Sequence, residues 1–292
     1  MKPARFQYAR PETLAETLTL LNEHEAAAVL AGGQSLMPML NLRVAQPEIL
    51  VDINLVPQLG EICRSDGGLS IGARARHNEV LRSPDVAACV PLLTQTLAHV
   101  AHEAIRNRGT FGGSLALADP AAELPACTVC LGGEIVVASL GGERRIAAED
   151  FFQGVYTTAL EPGELIVRID FPLFDAEWRF AFDEVVRRHG DFAIAGLALA
   201  VRCEDDVVTQ ARIVFAGVEE APRRLSAVED CLVGSALADR GSRMRTLAAL
   251  REHLSPMESR EFPPEYRTHV AAGLLDRLIG RLAGDVPAQD RD

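Results

Sequence analysis

Two short glycine runs are the segments of this chain whose residue types and spacing could do chemistry. Residues 31–35 have the sequence AGGQS, and residues 110–114 have the sequence TFGGS. Paired glycines allow positive φ angles and close approach to a ligand, so successive N–H groups can point into one concavity that favours an anion. We predict that the two runs face each other and hold the two halves of a pyrophosphate. Two ordinary tight turns are the alternative, since neither run has the G-x-G-x-x-G or Walker spacing.

The cysteines and histidines offer weaker patterns. Cys127 and Cys130 form a C-x-x-C pair, but a structural zinc site or an iron–sulfur cluster needs about four ligands, and the sequence has no second pair. We therefore predict that both thiols lie in the core at the end of an apolar helix, and that the six cysteines are reduced and mostly buried. No catalytic triad, metal-binding motif or acid–base pair is evident. Four histidines near the motifs are predicted to be surface or capping residues: His77, His99, His102 and His189.

Composition limits the class of protein. The 292 residues are 48% hydrophobic, and 41 acidic against 29 basic residues give a formal charge of −12. An acidic surface repels phosphate backbones, which argues against nucleic acid as a partner. No segment approaches the roughly 20 apolar residues of a membrane span, and residues 1–10 lack the apolar stretch of a signal peptide. We predict a cytoplasmic protein without a membrane span.

Hydrophobic periodicity predicts the elements that must position the glycine runs. In the first part of the chain, helices are predicted at residues 11–22, 35–42, 90–105 and 124–131, and strands at 26–31, 49–53, 69–73, 134–139, 143–146 and 164–171. After Pro172 the pattern changes to strands followed by helices. Strands are predicted there at residues 180–186, 194–202 and 207–218, and helices at 226–233, 243–253 and 264–282.

This order predicts an α+β protein of two domains, with the boundary near residues 173–178. The first domain is assigned to residues 1–175, with two subdomains divided near residue 58. The second is assigned to residues 176–285, as an antiparallel sheet with helices. Residues 286–292 are predicted to form a flexible tail.

The sequence resembles the FAD-binding (medium) subunits of the molybdenum hydroxylase, or xanthine dehydrogenase, family, such as carbon monoxide dehydrogenase medium subunits. The motifs occur in the family's order and cover nearly the whole chain. AGGQSL at residues 31–36 is similar to A-G-G-x-S-L, and IRNRGTFGG at 105–113 to I-R-N-x-G-T-I/L-G-G. ADPAAELP at 118–125 and RRHGDFA at 187–193 resemble A-D-P-A-A/S-D/E-x-P and R-R-x-G-D-F/Y-A.

The resemblance implies a two-subdomain FAD-binding domain of the PCMH type, with noncovalent FAD between the subdomains, followed by the smaller second domain. It implies that both glycine runs contact the pyrophosphate. An acidic residue near the ribose or pyrophosphate, a backbone contact from a strand and an aromatic ring near the isoalloxazine are also implied. The implied cofactor-binding residues are Ala31, Gly32, Gly33, Gln34, Ser35, Leu36, Thr110, Phe111, Gly112, Gly113, Ser114, Asp119, Glu123, Leu165, Ile166 and Phe192.

Three of these assignments have a structural alternative. Asp119 could be a turn cap before Pro120, Glu123 a charge at a helix N-terminus, and Phe192 an ordinary core residue. Arg187 and Arg188 are either near the flavin or on a solvated or partner-facing surface.

The family also implies a role in a complex. A molybdopterin large subunit hydroxylates a substrate, 2Fe–2S clusters on a small subunit carry the electrons, and this chain passes them through FAD to an external acceptor. The implied assembly is a heterotrimer, with its dimerisation left open.

Three departures from the family pattern keep alternatives open. Ser114 stands where Asn is usual, Phe192 where Tyr is frequent, and Asp183-Glu184 where a lysine is common. One alternative is a noncatalytic assembly subunit with a degenerate flavin site. The other is a free-standing flavin oxidoreductase.

Overall fold

The computed structural model describes residues 2–284, which begin with a small parallel sheet. Its strand order is β1-β3-β2, with helix α1 connecting the two outer strands and helix α2 providing the crossover from β2 to its parallel neighbour β3. Its elements, numbered in chain order, are β1 (Gln7–Ala9), α1 (Leu14–Glu23), β2 (Ala27–Leu30), α2 (Leu36–Asn41) and β3 (Ile49–Asp52). The first glycine run joins β2 to α2, so it lies at the carboxyl end of a parallel strand, where ligand sites of such sheets form.

Two 3-10 turns, Ile53–Leu55 and Pro57–Gly60, lead to a five-stranded antiparallel sheet in the order β4-β5-β10-β6-β7. Its strands are β4 (Ile62–Ser65), β5 (Gly68–Gly72), β6 (Glu134–Ser139), β7 (Gly142–Ala147) and β10 (Leu165–Phe171). Seven helices and a small hairpin accompany the sheet: α3 (His77–Arg82), α4 (Pro84–Cys89), α5 (Pro91–Leu97), α6 (Glu103–Arg106), α7 (Phe111–Leu117), α8 (Glu123–Cys130), α9 (Ala148–Phe151), β8 (Phe152–Gly154) and β9 (Thr157–Thr158).

The last part of the chain is a three-stranded antiparallel sheet followed by helices, as the pattern predicts. The elements are β11 (Trp178–Val185), β12 (Ala195–Glu204), β13 (Val207–Ala216), α10 (Ser226–Glu229), α11 (Arg240–His253) and α12 (Pro264–Ala283). Helix α12 starts with Pro264, whose missing N–H costs nothing there, and ends at Gly284 in the left-handed region. None of the helices between residues 2 and 284 has the length and apolarity needed to cross a bilayer.

The hydrophobic core is continuous across the boundary between the two domains. Alternation along β12 sends Ala198 and Ala200 into one core cluster with Cys127 and Cys130 of α8, and Leu197 and Leu199 into a second cluster. The second cluster is completed by α11 and α12. All eight residues of α8 are buried, which confirms the core assignment of the C-x-x-C pair. Cys63 is exposed instead.

The structure corrects several predicted elements. The single helix predicted at residues 90–105 is wrong: α5 ends at Leu97, Ala101 adopts a φ of 45°, and α6 begins at Glu103. The side chain of Arg106 satisfies the carbonyls at the bend, those of Val100 and Ala101, at 2.8 and 3.0 Å. Helix α1 begins later than residue 11, because Thr13 and Glu16 form a capping box. Helix α10 stops at Glu229. The tail predicted at 286–292 lies outside the described residues.

Candidate functional site

A cavity of about 480 Å³ lies where the parallel sheet, the second subdomain and the β11–β12 loop meet. Every residue that the sequence assigns to the cofactor site lines it, except Phe111. Phe111 is fully buried and packs edge-on against Phe171 at 6.0 Å between ring centroids, so its side chain belongs to the core and that assignment is corrected. Residues beyond the predicted set also contribute, among them Ile53, Ala73, His77, Val100 and Ile105.

The first glycine run presents backbone donors to this cavity. Gly33 has a φ of 73°, which turns the chain between β2 and α2. Within residues 2–284, the N–H groups of Gly33, Gln34 and Ser35 have no hydrogen-bond acceptor. Ser35 precedes α2 but its hydroxyl makes no capping bond. Three successive free N–H groups and a free hydroxyl form the kind of concavity that binds an anion.

The second run differs from its predicted form. Gly112 and Gly113 lie in the first turn of α7, with φ angles outside the positive region, and Thr110 caps the helix by accepting from Gly113 N–H at 3.2 Å. These glycines are needed for close packing: a Cβ on Gly112 would lie 2.5 Å from the Cβ of Ala73. The N–H of Thr110 likewise has no acceptor in the described part of the chain.

The first run contacts the residues just before the second. A Cβ on Gly32 would lie 2.4 Å from the carbonyl oxygen of Arg108, so only glycine allows this close approach. The two runs therefore lie side by side at one cavity, as the face-to-face arrangement predicts. The free donors of Gly33, Gln34, Ser35 and Thr110 line the same cavity.

His77 is buried behind the second run and is not a surface residue, contrary to the prediction. Its backbone N–H donates to the carbonyl of Gly109 at 3.0 Å, and its ring Nε2 lies 3.0 Å from the carbonyl of Thr110. Burial lowers the pKa of His77 to about 4. The ring is thus neutral near pH 7, and Nε2 must carry the proton that the Thr110 carbonyl accepts.

Two acidic residues, Glu123 and Asp119, line the cavity. Burial, with smaller contributions from Glu184 and Asp119, raises the pKa of Glu123 to about 8. A mostly protonated Glu123 can donate a hydrogen bond to a ligand. Asp119 accepts from the N–H of Ala121 at 2.9 Å and from the hydroxyl of Tyr156 at 3.1 Å. It is therefore a turn cap, as the alternative predicts, and also part of the cavity wall.

Phe192 lies at the cavity wall on the loop between β11 and β12. Its side chain is 67% exposed, so the alternative of a core phenylalanine is wrong. Arg187, in the same loop, forms an ion pair with Glu261 at 2.5 Å and does not line the cavity. Asp183, where the family has a lysine nearby, is buried and paired with Arg281 at 2.9 Å.

A larger groove, of about 600 Å³, lies beside β5, β6, β7 and β10. Its charged groups neutralise one another. Arg145 pairs with Glu134 at 2.8 Å and with Asp170 at 2.9 Å, and Arg168 pairs with Glu143 at 3.0 Å. Because these cations already have carboxylate partners, we place the functional site at the smaller cavity, where the backbone donors are free.

Comparison with known protein families shows the class of protein to which this chain belongs. Residues 4–174 match the FAD binding domain in molybdopterin dehydrogenase, and residues 180–282 match the CO dehydrogenase flavoprotein C-terminal domain. The chain belongs to this family of FAD-binding subunits, and the backbone donors around the cavity fit the pyrophosphate of that cofactor. It is thus a flavoprotein component of the molybdenum hydroxylases, with an electron-transfer role, as the resemblance implies.

Individual relatives match over almost their full length. The chain is 38% identical to the caffeine dehydrogenase subunit beta of a Pseudomonas species, covering 97% of this chain and 96% of the relative. It is 34% identical to the carbon monoxide dehydrogenase medium chain of Hydrogenophaga pseudoflava, covering 96% and 97%. Among solved structures, a chain of quinoline 2-oxidoreductase from Pseudomonas putida superposes with a TM-score of 0.92 at 39% identity, covering 98% and 99%. These relatives are subunits of oxidoreductases.

Proposed function

We propose that the two glycine runs bind the pyrophosphate of a noncovalent FAD. The observation that carries this proposal is the set of free N–H donors on Gly33, Gln34, Ser35 and Thr110, which line one cavity. Each diphosphate oxygen needs donors, and backbone N–H groups supply them without bulk. Ser114 adds a hydroxyl where relatives have an amide, so the site keeps a donor there.

Other residues of the cavity would orient the rest of the cofactor. A protonated Glu123 can donate to a hydroxyl or phosphate oxygen, and Asp119 can accept from a ribose hydroxyl. Leu165 and Ile166, at the start of β10, offer backbone groups and an apolar wall. The ring of Phe192 can cover one face of the isoalloxazine and limit the access of solvent. When bound, FAD supplies a carrier that exchanges electrons one or two at a time.

The pyrophosphate assignment is tested by competition. FAD titrations of the flavin-free chain are repeated in the presence of ADP and, as the matched control, adenosine. We expect ADP to weaken apparent FAD binding and adenosine at the same concentration to leave it nearly unchanged, because only ADP carries the diphosphate. Equal competition by the two compounds would show that the glycine runs do not hold the phosphates.

We further propose that the chain assembles with an iron–sulfur small subunit and a molybdopterin large subunit into a heterotrimer. The relatives are described as subunits or medium chains, and they match this chain from end to end. An exposed apolar surface beside the cavity supports a docking role: Met37, Leu42 and Val44 are 38%, 62% and 71% exposed on α2 and the loop after it. Isolated proteins seldom keep such a group of apolar side chains in water without a partner.

Affinity purification from the native host tests the assembly. We expect two further chains in fixed ratio, one with bound iron and acid-labile sulfide and one with bound molybdenum. Recovery of the tagged chain alone, with substrate-oxidising activity, would favour a free-standing flavin oxidoreductase instead.

A further inference from the structure

The segment from Ala73 to His77 runs alongside the second glycine run and holds it in place. Arg76 and Thr110 form an antiparallel bridge. On either side of it, Phe111 N–H donates to the carbonyl of Ala75 at 2.9 Å, and His77 N–H donates to the carbonyl of Gly109 at 3.0 Å. The backbone of the second run is therefore fixed from behind, on the side away from its free Thr110 N–H.

The guanidinium of Arg76 extends this contact to the first glycine run. One of its Nη atoms donates to the carbonyl of Arg108, and the other donates to the side-chain oxygen of Asn54. The amide nitrogen of Asn54 in turn donates to the carbonyl of Ala31 at 2.9 Å. The side chains of Arg76 and Asn54 thus link Ala31, the residue before the first pair of glycines, to the turn before the second.

The linked carbonyls lie where the first run contacts the residues just before the second. The Arg108 carbonyl that Arg76 binds is the atom that a Cβ on Gly32 would meet. Without the guanidinium, the chain of hydrogen bonds between this carbonyl and that of Ala31 would be broken, and the two runs could separate. Arg76 itself does not line the cavity, so its effect on a ligand must be exerted through the backbone.

We propose that Arg76 is a positioning residue that sets the separation of the two glycine runs and so determines the affinity for the FAD diphosphate. The inference rests on the proposed function of those runs. Its physical basis is pre-organisation: donors already held at the right spacing bind an anion without first being ordered. Charge-assisted hydrogen bonds to carbonyls, such as those of Arg76, are among the stronger ones available for this purpose.

The test compares Arg76→Met with Arg74→Met in the full chain. Arg74 is the matched control. It is a nearby arginine whose Nε donates to the carbonyl of Val56 at 3.3 Å, and within residues 2–284 it neither hydrogen-bonds to either run nor lines the cavity. We expect Arg76→Met to raise the Kd for FAD at least about tenfold, and Arg74→Met to change it less than about threefold. The thermal midpoints of the two flavin-free variants should be similar, since a merely structural role would lower the midpoint without this selective loss of affinity.

Asn54→Ala provides a second, independent variant if Arg76→Met does not fold. It removes the hydrogen bond to the carbonyl of Ala31 and should also raise the Kd for FAD. In the double variant with Arg76→Met, the increase in Kd should be smaller than the product of the two single increases, because both substitutions disrupt the same hydrogen-bond network. Arg76→Lys should stay weakened, since an ammonium group cannot span both oxygens.

Three results would overturn the inference. They are unchanged FAD affinity in both Arg76→Met and Asn54→Ala, equal losses in Arg76→Met and Arg74→Met, and full recovery in Arg76→Lys, which would indicate charge alone. If the wild-type chain itself does not bind FAD, the proposed function fails before these comparisons begin.

Discussion

At the scale of single residues, the cavity depends on a carboxyl group kept out of water. Glu123 is 8% exposed and begins α8, so its side chain is confined between the cavity and the core. An ionised carboxylate there would lack the hydration that it has in the unfolded chain. The raised pKa of Glu123 has a consequence for stability that can be measured without any ligand.

The first prediction is that stability falls as pH rises through the neutral range. Burial raises the pKa of Glu123 to about 8, so the folded chain holds this proton more tightly than the unfolded chain, whose carboxyl has a pKa of about 4.3. The stability from the protonated carboxyl is full below about pH 4.3 and is lost as pH rises towards 8. The pKa of His77 is lowered to about 4, so its contribution to the unfolding free energy increases as pH rises, but only below the unfolded pKa of about 6.5.

The measurement is urea unfolding of the flavin-free chain between about pH 6.5 and about pH 8, where Glu123 dominates this balance. The wild type should lose up to about 1.4 kcal/mol per pH unit there, and Glu123→Gln should show a flatter dependence. Equal slopes for the two proteins would mean that Glu123 is ionised in the folded state.

The second prediction concerns the effect of removing the Phe192 ring on the bound flavin. Phe192→Ala should still bind FAD, with Kd raised about fivefold, because a stacked ring contributes on the order of 1 kcal/mol. The visible spectrum should change, and reoxidation by small acceptors should become faster, because water and acceptors reach the flavin more easily. Leu173→Ala, another exposed apolar residue that does not line the cavity, is the control. An unchanged spectrum and an unchanged reoxidation rate would show that the ring does not lie near the flavin.

At the scale of elements, the turn between β2 and α2 depends on a backbone conformation that favours glycine. Gly33 has a φ of 73°, and a Cβ there would meet Met37 at 3.1 Å and Leu30 at 3.3 Å. Alanine at such an angle costs roughly 1–2 kcal/mol. Strain alone, however, does not distinguish a ligand-binding turn from an ordinary one.

The third prediction separates these two roles by comparing Gly33→Ala with Gly234→Ala. Gly234 has a φ of 80° in a turn outside the cavity, where a Cβ meets nothing within 4 Å. Both variants should lose roughly 1–2 kcal/mol of unfolding free energy, but only Gly33→Ala should lose FAD affinity, by about tenfold or more. If the two variants bind FAD equally well, the first run is a turn and nothing else.

Elements with local determinants were the ones that the sequence predicted well. The hairpin of β6 and β7, the strand before the first glycine run and the long α12 follow from alternation, glycine pairs and helical spacing. The helix predicted over residues 90–105 failed because its break at Ala101 is stabilised by Arg106, whose tertiary contacts have no local signature. The glycine pair of the second run predicts a turn, although Thr110 three residues before Gly113 is a recognisable N-cap spacing.

The candidate site, too, has parts that the sequence predicts and parts that it does not. Motif residues converge on one cavity, because the family pattern specifies them. The hydrogen bonds from Arg76 to Asn54 and from Asn54 to Ala31 could not be predicted, since they join residues 22 and 23 positions apart that meet only in the folded chain. The burial of His77 was missed for the same reason.

At the scale of the whole molecule, the two domains share a core. Helix α8 is buried and packs against β12 and β13 of the second domain, and Gly217 N–H donates to the carbonyl of Pro120 at 2.7 Å, next to Asp119. The second domain therefore supports the cavity wall as well as carrying Phe192. Separating the domains would expose one side of α8 to water.

The fourth prediction is that a fragment of residues 1–175 does not behave as an independent domain. Loss of the sheet that covers Cys130 and its neighbours exposes an apolar surface that favours aggregation. Size-exclusion chromatography and thermal unfolding of the fragment, with the full chain as control, measure this. A monomeric fragment with a cooperative transition and normal FAD affinity would show that the second domain is dispensable for the site.

The central claim is that this chain carries one noncovalent FAD on its two glycine runs. The most direct measurement is the flavin content of the purified full chain, before and after reconstitution with FAD, followed by acid precipitation. We predict one FAD per chain, released completely into the acid supernatant, and a lower flavin content in Gly33→Ala but not in Gly234→Ala. A colourless chain that takes up no added FAD, or flavin that stays with the precipitate, would contradict it.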